Sequence, residues 1–384
     1  MKYWKGYLVA AILAACTWAF REFAESHSKL IDMVYPYITR MVQTFMTGWS
    51  GGVEFCLWQA ILLALVVLVV ASIVLMVIFR WNPIQWFGWV LSVVSLILLL
   101  HTGIFGMNEF AGPIAEDIRL NDVEVEAEEL EAAAVYFRDK ANELSGQTTG
   151  TATLAALNEK APEGFEELVY EQYLAVFAGS TAPVKELDMA EWFTQRGEMG
   201  FTVAITGEAA INPETPAFMQ PFAVCREMCY RMCIASQHDK HFGAFMAAQA
   251  NPDPDFQYAA YVMAYRYCLN ALPDMTASTI NAEANSKVKG DVESWNTFVA
   301  PAEALAAEKA QKEGLEDTTN WEIAQLLTRW HYQEITLPSI TEPEKEFDPL
   351  DETQVDLTGL PNIEAPAETP EETTEDTGET AEAA

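Results

Sequence analysis

The chain has 384 residues, 51% of them hydrophobic, and carries 56 acidic against 22 basic side chains for a net charge of −34. That excess of negative charge repels nucleic acid and anionic headgroups, so neither is expected as a partner. A mean hydropathy of +0.04 is high for a purely soluble protein, which points to apolar residues gathered in a membrane region.

The first apolar run, residues 6–20, lies between Lys5 and Arg21 with Trp4 and Trp18 suited to the membrane interfaces. Leu13-Ala14-Ala15-Cys16 also fits a lipoprotein cleavage site with an acylated Cys16. The apolar chain continues past Thr17 and two longer runs follow, so a first transmembrane helix is the preferred reading. Residues 55–79 and 81–108 hold no formal charge, and each exceeds the roughly 20 residues that cross a bilayer. Spans are predicted at about 6–20, 55–79 and 84–104. Lys2 and Lys5 before the first span and Arg80 between the second and third put those ends on the cytoplasmic side of the membrane. The intervening 21–54 is then an outer loop with amphipathic stretches near the membrane surface. Everything after about residue 105 is extracytoplasmic.

Helical spacing predicts helices over 122–144 and 163–177 and a short one over 185–193. Residues 201–206 and 209–212 read as two short strands, followed by helices near 218–235, 239–250, 253–272, 280–312 and 320–333. Residues 341–384 hold 15 acidic residues against one lysine, too little apolar surface to offset chain entropy, and read as a disordered acidic tail. The domain reading is a membrane region over 1–108, an extracytoplasmic domain over 109–338 and the tail over 339–384. The fold class is α+β, predominantly α-helical. Six cysteines do not make a disulfide framework: Cys225, Cys229 and Cys233 recur every four residues along one helix face. Their Cβ atoms would be about 5–6 Å apart, too far to bridge.

Gly106-Met107-Asn108 closes the third apolar run; Gly200-Phe201 and Thr206-Gly207-Glu208-Ala209 precede the helix opened by Pro221-Phe222. Asn251-Pro252-Asp253 and Tyr265-Arg266-Tyr267-Cys268-Leu269-Asn270 follow it. In this order the segments resemble the bacterial membrane proteins grouped as domain of unknown function 3810, over about residues 1–335. The resemblance implies three spans followed by an outer zincin-like domain, a zinc ion, and an HExxH helix with an acidic ligand nine residues after its second histidine. The chain departs from that pattern at the residues that matter. Arg226 stands at the first histidine, Glu227 at the catalytic glutamate, Tyr230 at the second histidine and Asp239 at the acidic ligand, and Ala111 stands where the family commonly shows arginine.

HExxH works because two imidazoles one turn apart grip Zn²⁺ while the glutamate polarises its water. An arginine cannot be deprotonated in a protein and so cannot ligate. Zinc is therefore expected to be lost and no cofactor is expected, with Glu227 a vestige. The uncompensated carboxylates then need a cation, and Arg226 is expected to pair with Asp239, Glu208 or Glu227, beside Tyr230. An alternative metal site would draw on Cys229, Cys233, His238 and His241. The functional expectation is a pseudoenzyme that binds a peptide or protein, or regulates a membrane partner, at the cell surface. The alternatives are a metal-dependent hydrolase with a rearranged site and a structural envelope protein.

Overall fold

A computed structural model describes residues 4–150, 152–170, 173–315 and 318–336. The acidic tail read from 339–384 lies outside them. The described chain is mostly helical with one three-stranded sheet.

Three helices are long and apolar enough to cross a membrane: α1 (Lys5–Ser26), α3 (Leu57–Ile78) and α4 (Pro83–Ile104). All three lie where the apolar runs predicted spans. α1 extends six residues past its expected end, through Arg21 and Glu25, because the helix leaves the apolar run before it stops. Asn82 caps α4 by accepting from the amides of Ile84 and Gln85. The segment expected to be an outer loop with amphipathic stretches holds one continuous 23-residue helix, α2 (Ser28–Ser50). Its buried residues Ile31, Tyr35, Thr39, Gln43 and Thr47 recur every four positions, and most are polar.

After a 3₁₀ turn (Gly106–Phe110) come α5 (Ile114–Asp117), α6 (Ala127–Leu144), α7 (Leu154–Tyr170) and α8 (Leu174–Phe177). A capping box of Glu126 and Glu129 starts α6. The short helix expected over 185–193 is a strand, β1 (Lys185–Glu186), followed by α9 (Ala190–Thr194). β2 (Gly200–Val203) stops three residues before its expected end, because residues 204–207 turn the chain through Gly207 at φ 68° into β3 (Glu208–Ile211). β3 is the central strand, antiparallel to β2 and parallel to β1.

The core is built on α10 (Gln220–Arg231), α11 (Gln237–Ala250) and α12 (Pro254–Ala271). α11 and α12 are buried around nearly their whole circumference and are rich in alanine, which allows close approach of neighbouring helices. α7 crosses α11 at Gly164, where a Cβ would stand 2.0 Å from the carbonyl oxygen of Ala247. α13 (Asp274–Ala282), α14 (Ser286–Glu313) and α15 (Thr319–Trp330) complete the domain. The single helix expected over 280–312 is thus two: Asn285 ends the break and caps α14.

Candidate functional site

α10 ends earlier than helical spacing suggests. Cys233 adopts a left-handed conformation (φ 71°), held by two hydrogen bonds of a Schellman turn. Its amide donates to Tyr230 O (3.0 Å), and the amide of Ile234 donates to Cys229 O (3.3 Å). The turn swings Cys233 away from the face that Cys225 and Cys229 share and sets its Sγ 3.0 Å from Thr39 Oγ1. The expected three-cysteine stripe is therefore two cysteines long. Ser236 then starts α11, accepting from the amide of Asp239 (3.2 Å).

Arg226 and Glu227 are both buried and form an ion pair, Arg226 Nη1 donating to Glu227 Oε1. Arg226 Nη2 donates to Gln237 Oε1 (3.2 Å) on α11. The other carboxylate oxygen, Oε2, accepts from Thr202 Oγ1 on β2 at 2.6 Å. Each oxygen of Glu227 thus accepts one hydrogen bond from within the fold. Gly200 makes room for this: a Cβ there would lie 2.8 Å from Glu227 Cγ.

The second position of the helix is closed differently. The Tyr230 ring stacks on Phe105, at the exit of α4, with centroids 4.4 Å apart. Burial, with the Glu227 charge adding to it, pushes its phenol up to about 12. Lys240 lies over the same ring, Nζ 4.8 Å from its centroid. Burial and then the Arg226 guanidinium lower this amine to about 7. Burial, reinforced by Arg226, also holds His241 well below the usual imidazole range. A guanidinium, a phenol and an amine therefore stand together around residues 226–230, with His241 as the one imidazole close by. That set does not fit zinc, since Arg226 cannot ligate and its fixed positive charge opposes a divalent ion there.

The other expected members of the charge network are elsewhere. Asp239 turns away from the pair into a small cavity of about 50 Å³ beside Asp32, Asp117 and Ser236, where burial raises its carboxyl. The reason is helical phase: one residue rotates a side chain by about 100°, so the face of α11 presented to α10 carries Gln237, Lys240 and His241. Glu208 accepts from the amides of Leu57 (2.8 Å) and Trp58 (2.9 Å) at the start of α3 and pairs with Lys185 (2.5 Å). It caps a membrane-crossing helix and does not meet Arg226.

The alternative metal set is not assembled either. Cys229 faces the close-packed Gly243, Cys233 faces Thr39, His238 contacts Glu322 (2.9 Å) and His241 bonds the carbonyl of Gln237 (2.8 Å). Among the described residues no group of three or more His, Cys, Asp or Glu is arranged to hold a metal ion. Burial also raises the Cys229 and Cys233 thiols, the latter to about 11, so both stay protonated at neutral pH.

Beside the ion pair opens a cavity of about 200 Å³. Arg226, Gln237, His241, Arg266 and Trp295 line it, with Ala302 of α14 on its wall. Arg266 is held there by Asn296 (2.7 Å) and Glu303 (2.6 Å). The wall combines donors fixed in place by their own partners with an apolar patch. Thr202, Gln237, Lys240 and Arg266 were not legible as site residues. Only the i, i+3, i+4 spacing of Gln237, Lys240 and His241 could have pointed to a shared face, once Ser236 is recognised as the cap.

No curated protein and no solved structure matches the chain. One family model does, described as protein of unknown function DUF3810, and it covers residues 31–315, well over half of the chain. The chain belongs to the DUF3810 family.

Proposed function

We propose that this is a membrane-anchored, zincin-like pseudoenzyme whose cleft binds a peptide or protein at the outer surface of a bacterial cell membrane. The reading has the N-terminus and the Arg80 turn in the cytoplasm, following the cationic residues around α1 and between α3 and α4. The observation that carries it is the ion pair. Arg226 neutralises Glu227 within the fold and ties α10 to Gln237 of α11, so the helix pair is kept together without a metal. What remains usable is shape: the open cavity beside the pair, with the edge strand β2 joined to Glu227 through Thr202.

The test uses the full-length protein in lipid nanodiscs, panned against a short-peptide display library and assayed in parallel for hydrolysis of a quenched peptide mixture. Enriched peptides should bind the wild type and a chain lacking 341–384, and should lose binding to Ala302→Trp, which fills the cavity. Hydrolysis that a chelator abolishes and added zinc restores would overturn the reading in favour of a metal-dependent hydrolase. Binding lost only on deletion of 341–384 would shift the function to the tail.

A further inference from the structure

We infer that α2 is an interfacial helix lying flat on the bilayer, lipid on one side and the folded domain on the other. The inference rests on α1, α3 and α4 crossing a membrane, and not on what the cleft binds.

Three ties fix the position of α2. At its start only His27 separates it from the end of α1. Two turns further on, Tyr35 donates its hydroxyl to Thr102 O and Gly103 O (both 3.1 Å), at the exit of α4. At its end, Lys185 Nζ bridges Ser50 O (3.2 Å) and Phe55 O (2.9 Å), beside the entrance of α3. α1 leaves the membrane, α3 enters it and α4 leaves it on one and the same side, as three successive crossings require. A helix of 23 residues, roughly 35 Å long, tied at both ends to those points runs along the surface and does not rise from it.

Its two faces agree with that position. The inner face is polar and hydrogen-bonded to backbone of the domain. Arg40 donates to Met232 O (2.9 Å), Gln43 to Ala204 O (3.0 Å) and Thr47 to Gly207 O (3.0 Å). The outer face carries Met33, Tyr37, Ile38, Met41, Phe45 and Trp49, each more than half exposed. In water such a row is an aggregation liability. At the headgroup boundary it is the apolar side of an amphipathic helix, with Tyr37 and Trp49 as interfacial aromatics. The helices before and after it in the chain, α1 and α3, also expose apolar residues near it in sequence, among them Phe20, Phe23, Ile61 and Leu62, and this favours the bilayer over a protein partner as its occupant.

The test places spin labels at Met41→Cys and Phe45→Cys, one turn apart, in the full chain with the exposed Cys16→Ser, reconstituted in nanodiscs. Val66→Cys in α3 and Glu166→Cys in α7 are the lipid and water references. Both α2 positions should collide with oxygen more than with a water-soluble nickel chelate, as position 66 does and in inverse ratio to position 166. A nickel-favoured ratio at 41 and 45 would mean that the face is wet. Exclusion of both reagents would mean that a second copy or a partner protein covers it. Either result overturns the inference, and because two positions report on one face it does not hang on a single variant folding.

Discussion

Replacing Arg226 by methionine keeps most of the side-chain volume and removes the guanidinium. In the folded protein Arg226 is 5% and Glu227 1% exposed, so the carboxylate left behind would have the Thr202 hydroxyl as its one remaining hydrogen-bond donor. Breaking a buried pair from one side costs about 3–5 kcal/mol. Lys240 lowers that figure in a pH-dependent way. The Arg226 charge helps to depress its amine, so the variant should take up a proton there and partly replace the lost cation below neutrality. We expect a loss of about 3 kcal/mol at pH 8, or roughly 6–12 °C in Tm by the usual scaling, and a smaller loss at pH 6. Thermal unfolding in detergent, followed by tryptophan fluorescence, reads both. Adding Glu227→Gln should recover most of the loss, because the uncompensated charge is then gone. A single variant as stable as the wild type at pH 8, or a double variant no better than the single, would refute the claim that Arg226 neutralises the buried Glu227 carboxylate.

Lys240 gives a pH signature of its own. Its folded-state pKa of about 7 lies below the ordinary 10.5, so the unfolded chain binds the extra proton between those values. Its contribution is therefore least favourable at and below pH 7 and is relieved as pH rises toward 10.5, with a slope approaching 1.4 kcal/mol per unit. Lys240→Met should stabilise the protein at pH 7 and flatten the wild-type rise between pH 7 and 10, and parallel profiles would count against it. Glu208→Gln should cost about 1.5–3 kcal/mol through weaker hydrogen bonding to the start of α3 and loss of the Lys185 pair; an unchanged Tm would show the cap to be dispensable. Gly164→Ala should cost at least about 2 kcal/mol by forcing α7 from α11 against the carbonyl of Ala247, whereas Gly146→Ala, where a Cβ meets nothing within 4 Å, should be near neutral.

The membrane-crossing helices were legible because an uncharged run of sufficient length is a one-dimensional signal that no tertiary contact reverses. α2 was legible only as amphipathic stretches near the membrane surface and not as one helix. Its buried side carries the polar Thr39, Gln43 and Thr47 and its exposed side Met41, Phe45 and Trp49, the reverse of a helix packed on a core from water. β1 could not be read, because two residues become a strand only by pairing with β3. At the site, counting from Tyr230 led to Asp239, yet the left-handed turn at Cys233 resets the phase of α11 and delivers Lys240. Arg226 and Glu227 are neighbours in sequence, and their pairing needed only burial to enforce it.

The carboxylate of Glu208 also bears on how the protein can be handled. It belongs to the central strand, yet two of its three donors are backbone amides of a helix more than 140 residues upstream. A shortened chain begun at residue 109, the obvious route to a soluble sample, would strip away both donors together with the carbonyls that Lys185 grips and the whole polar side of α2. Such a fragment would expose a raw sheet face in place of its missing half, and its insolubility would reflect a cut made through the middle of a folding unit.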